Sequence, residues 1–488
     1  CSIRLHIKSF KGGVSVFLDF WSSELSTDQV KNVASTFDTI FTNVIHYPNT
    51  TVENLSYFST RNKSQIEKWN ATPLEKVERT IHGIFEDSVI ANSASEAVCA
   101  WDGSLSYLEL DEYASRIALH LNKLGVGPEV FVPLCFPKSK WNVVAMVAVL
   151  KAGGAFVPLD PSYPLDRLQS LASSVQAKIV LCSKESADLL VPVADTVIPI
   201  TAEFVEQLPL DTHQLIRDVA SHNAAYIIPT SGSTGTPKLT LVEHGSYCSG
   251  VKAHAPGMLM DSTDPLRVLQ FASHTFDASL VEILSPLMLG GTVCIPDEET
   301  RLNNIAKAID GMNVTWTCLT PTFVRFLEPS MVPRLATIAL VGEAMSQSNL
   351  ETWSKAQNLV NAYGPSECSV AAVTNPHVTS ETDPKNIGYP VGIHAWVVDP
   401  DDYNKLVPVG CVGELLAEGN TLARCYFNDD QKTAQAFIRN PKWAEGRSFR
   451  GYLTGDLVRQ NSDGSLNFVG RKDTQVVSAF LTASTFGL

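Results

Sequence analysis

Apolar positions along the chain switch repeatedly between two spacings. Between Tyr107 and Leu124 they fall at Leu108, Leu110, Tyr113, Ile117, Leu121 and Leu124, which predicts a helix ending at Gly125. Val130 to Phe136 reads as a short strand, and Trp141 to Lys151 as a helix closed by Gly153 and Gly154. Ala155 to Leu159 is again strand-like. Strands alternating with helices from about Thr80 onward predict an α/β architecture with largely parallel sheets. Nearer the start, Gly13 to Phe20 alternates as a strand does. Ser26, Asp28 and then Val30, Val33, Phe37, Ile40 and Phe41 have the cap and period of one amphipathic helix. One strand and one helix in under 60 residues cannot bury a core, so this part is expected to belong to another unit. Asn62 to Glu78 is polar, contains Pro73, and reads as a linker.

Composition narrows the classes. With 44% hydrophobic and 18% charged residues among 488, the chain is ordinary globular protein rather than collagen-like or disordered. Its formal charge of −14 lacks the basic excess of a nucleic-acid binder, so no nucleic-acid partner is expected. The apolar run Val143–Leu150 ends at Lys151, far short of the ~20 residues a spanning helix needs, so no membrane partner is expected either. Ten cysteines include no C-x-x-C pair, which argues against a zinc cluster or disulfide framework and for a reducing compartment. With no cleavable leader at the start, the expected location is cytoplasmic. The first residue is Cys1, and the chain reads as a fragment.

The sharpest local signal is Thr230-Ser-Gly-Ser-Thr-Gly-Thr-Pro-Lys238. Two glycines let the backbone approach a phosphate, five hydroxyl residues supply donors, and Lys238 adds positive charge. It is not a Walker loop, which leads from a strand into a helix. Here Ala225–Ile228 precedes and Leu239–Val242 follows, so the loop is expected to join two strands. Taken by itself, a Ser/Thr/Gly run of this kind is equally a surface turn.

Eight blocks in order carry a resemblance. They are Leu105-Ser-Tyr-Leu-Glu-Leu110, Leu150-Lys-Ala-Gly-Gly-Ala-Phe-Val-Pro-Leu-Asp160, the loop at 230–238, and Phe276-Asp-Ala-Ser279. After them come Asn361-Ala-Tyr-Gly-Pro-Ser-Glu367, Gly413-Glu-Leu-Leu-Ala-Glu-Gly419, Tyr452-Leu-Thr-Gly-Asp-Leu457 and Gly470-Arg-Lys-Asp-Thr-Gln475. Over roughly residues 80–475 the chain resembles the adenylation domain of a nonribosomal peptide synthetase, within the AMP-forming acyl- and aminoacyl-activating superfamily. Residues 1–58 resemble the end of a condensation domain. The division implied is that remnant, a linker at 59–79, the large N-terminal adenylation lobe at 80–470, and a hinge with a divergent stub at 471–488. The lobe is expected to hold two packed sheets and a β-barrel-like piece near 400–468.

The resemblance implies that a carboxylate reacts with ATP to give an acyl-adenylate and pyrophosphate, with Mg²⁺ held by Glu367. Thr234, Lys238 and Glu367 would be the catalytic residues. Thr230, Ser231, Gly232, Ser233, Thr234, Gly235 and Lys238 would hold phosphates, with Ser366 near the α-phosphate. Tyr363, Asn361 and Gly364 would meet adenine on one side and Gly342, Glu343 and Ala344 on the other. Asp456 would accept the ribose hydroxyls, assisted by Arg471 and Phe468. Asp277 would pair with the α-ammonium of an amino acid, or alternatively cap a helix beginning at Ala278. The remaining pocket positions would be Ala278, Val281, Cys318, Ala339, Val341, Ala362, Val370 and Ala371. All are small or apolar, which favours an apolar substrate side chain. Partners implied are an amino acid and a peptidyl carrier domain, whose phosphopantetheine is not carried on this chain.

Two departures stand out. Leu239 follows the loop lysine where the family has Gly, and the residues after Val476 do not match the family's continuation. The mobile C-terminal lobe is therefore expected to be missing and adenylation by this chain to be impaired. An acyl-CoA ligase is the neighbouring alternative, disfavoured by Asp277.

Overall fold

The computed structural model describes residues 3–210, 218–230 and 237–472. The expected phosphate-loop positions Ser231, Gly232, Ser233, Thr234 and Gly235 lie outside the described residues, as does the stub beyond 472.

Two sheets organise the body. The smaller has seven strands in the order Cys425–Tyr426, Lys238–Glu243, Ala224–Thr230, Ala155–Leu159, Phe131–Cys135, Ile179–Cys182 and Thr196–Pro199. Its last five strands are parallel and its first two pairings antiparallel. The larger has fourteen strands. Asn358–Tyr363, Thr337–Leu340, Trp316–Leu319, Arg267–Leu269, Thr292–Ile295 and Glu96–Ala100 form its parallel centre. Beyond Asn358–Tyr363 every pairing is antiparallel, and Asn386–Pro390 joins this centre to the β-rich piece ending at Leu466–Arg471. The β-rich piece thus begins earlier than 400, and it continues one of the two sheets rather than standing apart.

Helices fill the space between the sheets because their sequences are apolar on more than one face. In Lys140–Lys151 every residue from Asn142 to Lys151 is buried, and Ala278–Leu289 is buried from Ala278 to Met288. One hydrophobic cluster takes Val132, Phe156 and Ile228 from the smaller sheet, Val98, Val293 and Ile295 from the larger, and Val144, Leu280 and Tyr247 from helices. The Leu150–Asp160 block does structural work in this layer. Lys151 is buried and its ammonium sits 2.7 Å from Glu86 and 2.5 Å from Asp111. Gly153 takes φ +84°, and a Cβ on Gly154 would fall 2.7 Å from Val126 and 3.1 Å from the Val130 carbonyl.

The start of the chain differs from expectation in two ways. Ile3–Phe10 is a second strand, paired with Gly13–Phe20 through Lys11 and Gly12, and Thr27–His46 is the predicted helix, capped by Ser26. The segment expected as a polar linker is not an extended tether. Thr60–Trp69 is a helix whose Ile66, 1% exposed, packs with Trp396, Leu416 and Phe449 of the β-rich piece. The Asn62 amide oxygen accepts from the Val409 N–H at 3.0 Å, and the Asn70 amide donates to the Ala395 carbonyl at 3.0 Å. Its polarity reflects a helix that buries one stripe while its amides serve as docking groups.

Candidate functional site

A cleft of about 1070 Å³ opens where the ends of the two sheets face each other, lined from both and from the β-rich piece. Thr230 and Lys238 stand opposite one another in register, the ends of the two strands that the phosphate loop connects. The expected strand–loop–strand setting is therefore present. Lys238 reaches over the Tyr426 ring, its Nζ 5.2 Å from the centroid.

Strand Asn358–Tyr363 delivers the next block. The Asn361 amide donates to the Asn386 carbonyl at 3.0 Å, and the residue lines the cleft. After Tyr363 the chain turns sharply. A Cβ on Gly364 would lie 2.1 Å from the Val370 carbonyl oxygen, so only glycine fits. Ser369 and Val370 adopt φ of +56° and +80°, a conformation rare for a β-branched residue and commonest where function holds it. This turn presents Ser366 and Glu367. Ser366 lines the cleft together with Asp277. Glu367 is buried, its Oε1 accepting the Tyr426 hydroxyl at 2.6 Å, and Oε2 has no partner among the described residues.

Asp277 is the N-cap residue of Ala278–Leu289 but makes no side-chain cap bond. Its Oδ2 is sealed from solvent with no hydrogen-bond partner among the described residues. Burial raises its pKa to about 6; the nearby Ser366 hydroxyl opposes that shift and the Glu367 charge adds to it. Ala278, Val281, Cys318, Val341, Ala362, Val370 and Ala371 line the same cleft. Ala339 does not: it is fully buried, packed behind the wall with Trp316 and Val360. It lies on Thr337–Leu340, and the side chain two residues on, Val341, reaches the wall instead. Gly342, Glu343 and Ala344 follow at the rim, where the Thr322 N–H donates to the Glu343 carboxylate at 3.0 Å.

The β-rich piece closes the far end. Asp456 and Arg471 are register partners on neighbouring strands, with guanidinium and carboxylate 3.1 Å apart. The Tyr363 hydroxyl donates to the other Asp456 oxygen at 2.5 Å, a link the sequence did not announce. The Tyr363 and Phe468 rings are 6.2 Å apart, bordering one apolar slot. Sequence reasoning gave no role to Tyr426, Tyr452 and Lys432, which line the same cleft; Tyr452 opens one of the eight blocks, whereas nothing in the spacing of Tyr426 and Lys432 marks them. It also missed a buried network behind Asp277. Glu282, on the same helix, accepts from the Phe271 and Ala272 N–H groups, and the Lys138 ammonium donates to Gln270 at 2.7 Å.

The donor set suits Mg²⁺ at Glu367. No group of three or more metal-ligating side chains exists among the described residues, so an all-protein cage is absent. Mg²⁺ is commonly held by one or two carboxylates with substrate phosphates completing its shell, and the buried, half-satisfied Glu367 matches that demand. No helix among the described residues is long and apolar enough to cross a membrane.

A family described as AMP-binding enzyme matches residues 85–427. Nonribosomal peptide synthetase 1 of Aspergillus fumigatus is 51% identical over 482 residues, 97% of this chain and 8% of that protein. N-benzoylphenylalaninol synthetase apmA of Penicillium brevicompactum is 45% identical over 467 residues, 95% of this chain and 20% of that one. The chain thus spans a fifth or less of these two relatives. In fold it is similar to the nonribosomal peptide synthetase FmoA3 in an AMPPNP-bound form, with TM-score 0.82, 24% identity, and 96% of this chain and 51% of that one covered. The chain belongs to the AMP-binding enzyme family.

Proposed function

We propose that this chain activates an α-amino acid with an apolar side chain as its aminoacyl-adenylate, releasing pyrophosphate, as one step of nonribosomal peptide synthesis. The observation that carries this is the solvent-sealed, unpartnered Oδ2 of Asp277 in a wall of small apolar side chains. A buried carboxylate without a partner is costly, and an ammonium group removes that cost. Neither a fatty nor an aryl acid offers one. The apolar wall supplies no partner for a charged side chain, which favours an aliphatic or aromatic substrate.

In this reading the substrate carboxylate attacks the α-phosphorus of ATP, and the bond to the bridging oxygen of pyrophosphate breaks. Lys238 and the loop it ends hold the β- and γ-phosphates. Thr234 belongs to that loop, and Ser366 faces the α-phosphate. Asn361, Gly364 and Tyr363 border the adenine on one side and Gly342, Glu343 and Ala344 on the other. Asp456, fixed by Arg471 and Tyr363, accepts the ribose. Glu367 would hold Mg²⁺, which would supply charge neutralisation for the phosphates. Residues 80–470 form the adenylation lobe and 1–58 a piece of a condensation unit, the latter favoured by large apolar side chains left exposed on its hairpin at Leu5, Ile7, Phe10 and Phe17. The adenylate would pass to a phosphopantetheine-bearing carrier domain elsewhere in a cytoplasmic synthetase.

Amino-acid-dependent exchange of radiolabelled pyrophosphate into ATP tests this. Leucine- or phenylalanine-type acids should support exchange and their des-amino analogues should not. Equal exchange with the des-amino acids would reject the amino-acid assignment.

A further inference from the structure

Tyr426 occupies a junction that the assigned roles do not explain. It ends the two-residue strand Cys425–Tyr426, which pairs with Lys238–Glu243 through Thr240. Either side of it, the Phe427 N–H donates to the Leu239 carbonyl at 2.8 Å and the Ala423 N–H to the Glu367 carbonyl at 2.7 Å. One short segment is therefore hydrogen-bonded both to the residue after Lys238 and to the backbone of Glu367.

The side chain repeats the same bridge. The Tyr426 hydroxyl donates its single proton to Glu367 Oε1 at 2.6 Å, and the Tyr452 hydroxyl lies 3.3 Å from it. Because that proton is committed to the carboxylate, the Tyr452 hydroxyl is the donor in the second bond, giving a directed chain from Tyr452 to Tyr426 to Glu367. The face of the same ring meets the Lys238 ammonium at 5.2 Å. With Oε1 fixed by the phenol, the carboxylate is left with Oε2 to offer. A hard cation binding there meets a ligand already oriented, which is what an outer partner does for a metal-holding carboxylate.

We propose that Tyr426 is a positioning residue that orients the Glu367 carboxylate for a divalent cation and ties its placement to that of Lys238. This rests on the reading of Glu367 as the metal-holding group. It goes beyond that reading by assigning the cation's affinity to a residue on a different sheet, one that never touches the cation.

The test is ATP binding by the whole chain, measured calorimetrically across a MgCl₂ titration and again in EDTA, for the unaltered chain, Tyr426→Phe and Glu367→Gln. Phenylalanine keeps the ring under Lys238 and removes only the hydroxyl. Losing an outer partner typically costs about 10–100-fold in metal affinity, so Tyr426→Phe should move the Mg²⁺ midpoint upward by about tenfold. ATP affinity in EDTA should stay the same. Tyr452→Phe should shift the midpoint the same way by a smaller factor. An unshifted midpoint in Tyr426→Phe with a shifted one in Glu367→Gln overturns the role of Tyr426 alone. An unshifted midpoint in both overturns the metal assignment beneath it. Loss of fold or of EDTA-condition ATP binding in Tyr426→Phe would also overturn the proposal, by making the hydroxyl a structural group.

Discussion

Asp277 shows how one side chain can couple substrate choice to pH. Its pKa of about 6 without ligand means the carboxyl is mostly protonated at pH 5 and mostly ionised at pH 7. Only the ionised form attracts an ammonium strongly, and its fraction grows about tenfold between those values. The KM for the amino acid should therefore fall by a similar factor from pH 5 to pH 7, while the KM for ATP changes little. Binding near pH 6 should release a proton, visible as buffer-dependent heat in calorimetry. The sign for stability is the reverse. A carboxyl whose folded pKa is raised binds more protons folded than unfolded, so it destabilises the ligand-free fold as pH rises from about 4 to about 6. Asp277→Asn should thus melt higher than the unaltered chain at pH 8 and lose discrimination against des-amino acids. A variant that melts no higher at pH 8 would show that Asp277 finds another partner in solution.

At the scale of elements, the turn after Asn358–Tyr363 decides where Ser366 and Glu367 stand. Gly364→Ala places a methyl group 2.1 Å from the Val370 carbonyl oxygen, and neither backbone can yield without moving Val370, itself strained at φ +80°. Overpacking of this kind costs about 1–3 kcal/mol or more, and here the displaced atoms belong to the pocket. The variant should keep its far-ultraviolet circular dichroism yet lose amino-acid and ATP binding together; unchanged binding would mean the turn can relax. This glycine was legible as part of a block, but its reason was not, because the carbonyl it must avoid belongs to a residue outside that block. The same limit explains the other gains and losses. Tyr107–Lys123 and Lys140–Lys151 were readable because helical period and closing glycines are local. So was the strand–loop–strand setting of Thr230 and Lys238. Tyr426 was not, since its partner Glu367 is 59 residues away and a lone tyrosine after a cysteine has no pattern. Ala339 was placed on the wall by the resemblance, and its depth along the strand removes it, since Val341, two residues on and on the same strand face, reaches the cleft.

For the molecule as a whole, the question is where the folding unit that carries the cleft begins. The block order suggests about residue 80, yet the Thr60–Trp69 helix is built into the β-rich piece that supplies Asp456, Phe468 and Arg471. Ile66 fills a space among Trp396, Leu416 and Phe449, and a Cβ on Gly464 would lie 2.9 Å from the Trp69 ring nitrogen. Removing a buried isoleucine alone costs about 2–5 kcal/mol, before the lost Asn62 and Asn70 bonds are added. By contrast, residues 3–58 meet the rest through Phe58, partly buried at the margin of the same cluster, and through polar links, among them Arg61 to Asp28 at 3.0 Å, Asn62 to Thr36 at 3.1 Å and Tyr57 to Asp399 at 3.3 Å. Ion pairs near the surface, such as Arg61 to Asp28, contribute about 0–1 kcal/mol each. A chain starting at residue 59 should therefore melt close to the unaltered one and bind ATP equally well, with better solubility once Leu5, Ile7, Phe10 and Phe17 are gone. A chain starting at residue 80 should melt several degrees lower and bind ATP more weakly, because the strands holding Asp456 and Arg471 lose their outer cover. Differential scanning fluorimetry with and without ATP separates the two. Equal melting of both truncations would place the Thr60–Trp69 helix outside the folding unit, and a large loss on removing residues 1–58 alone would place the hairpin inside it.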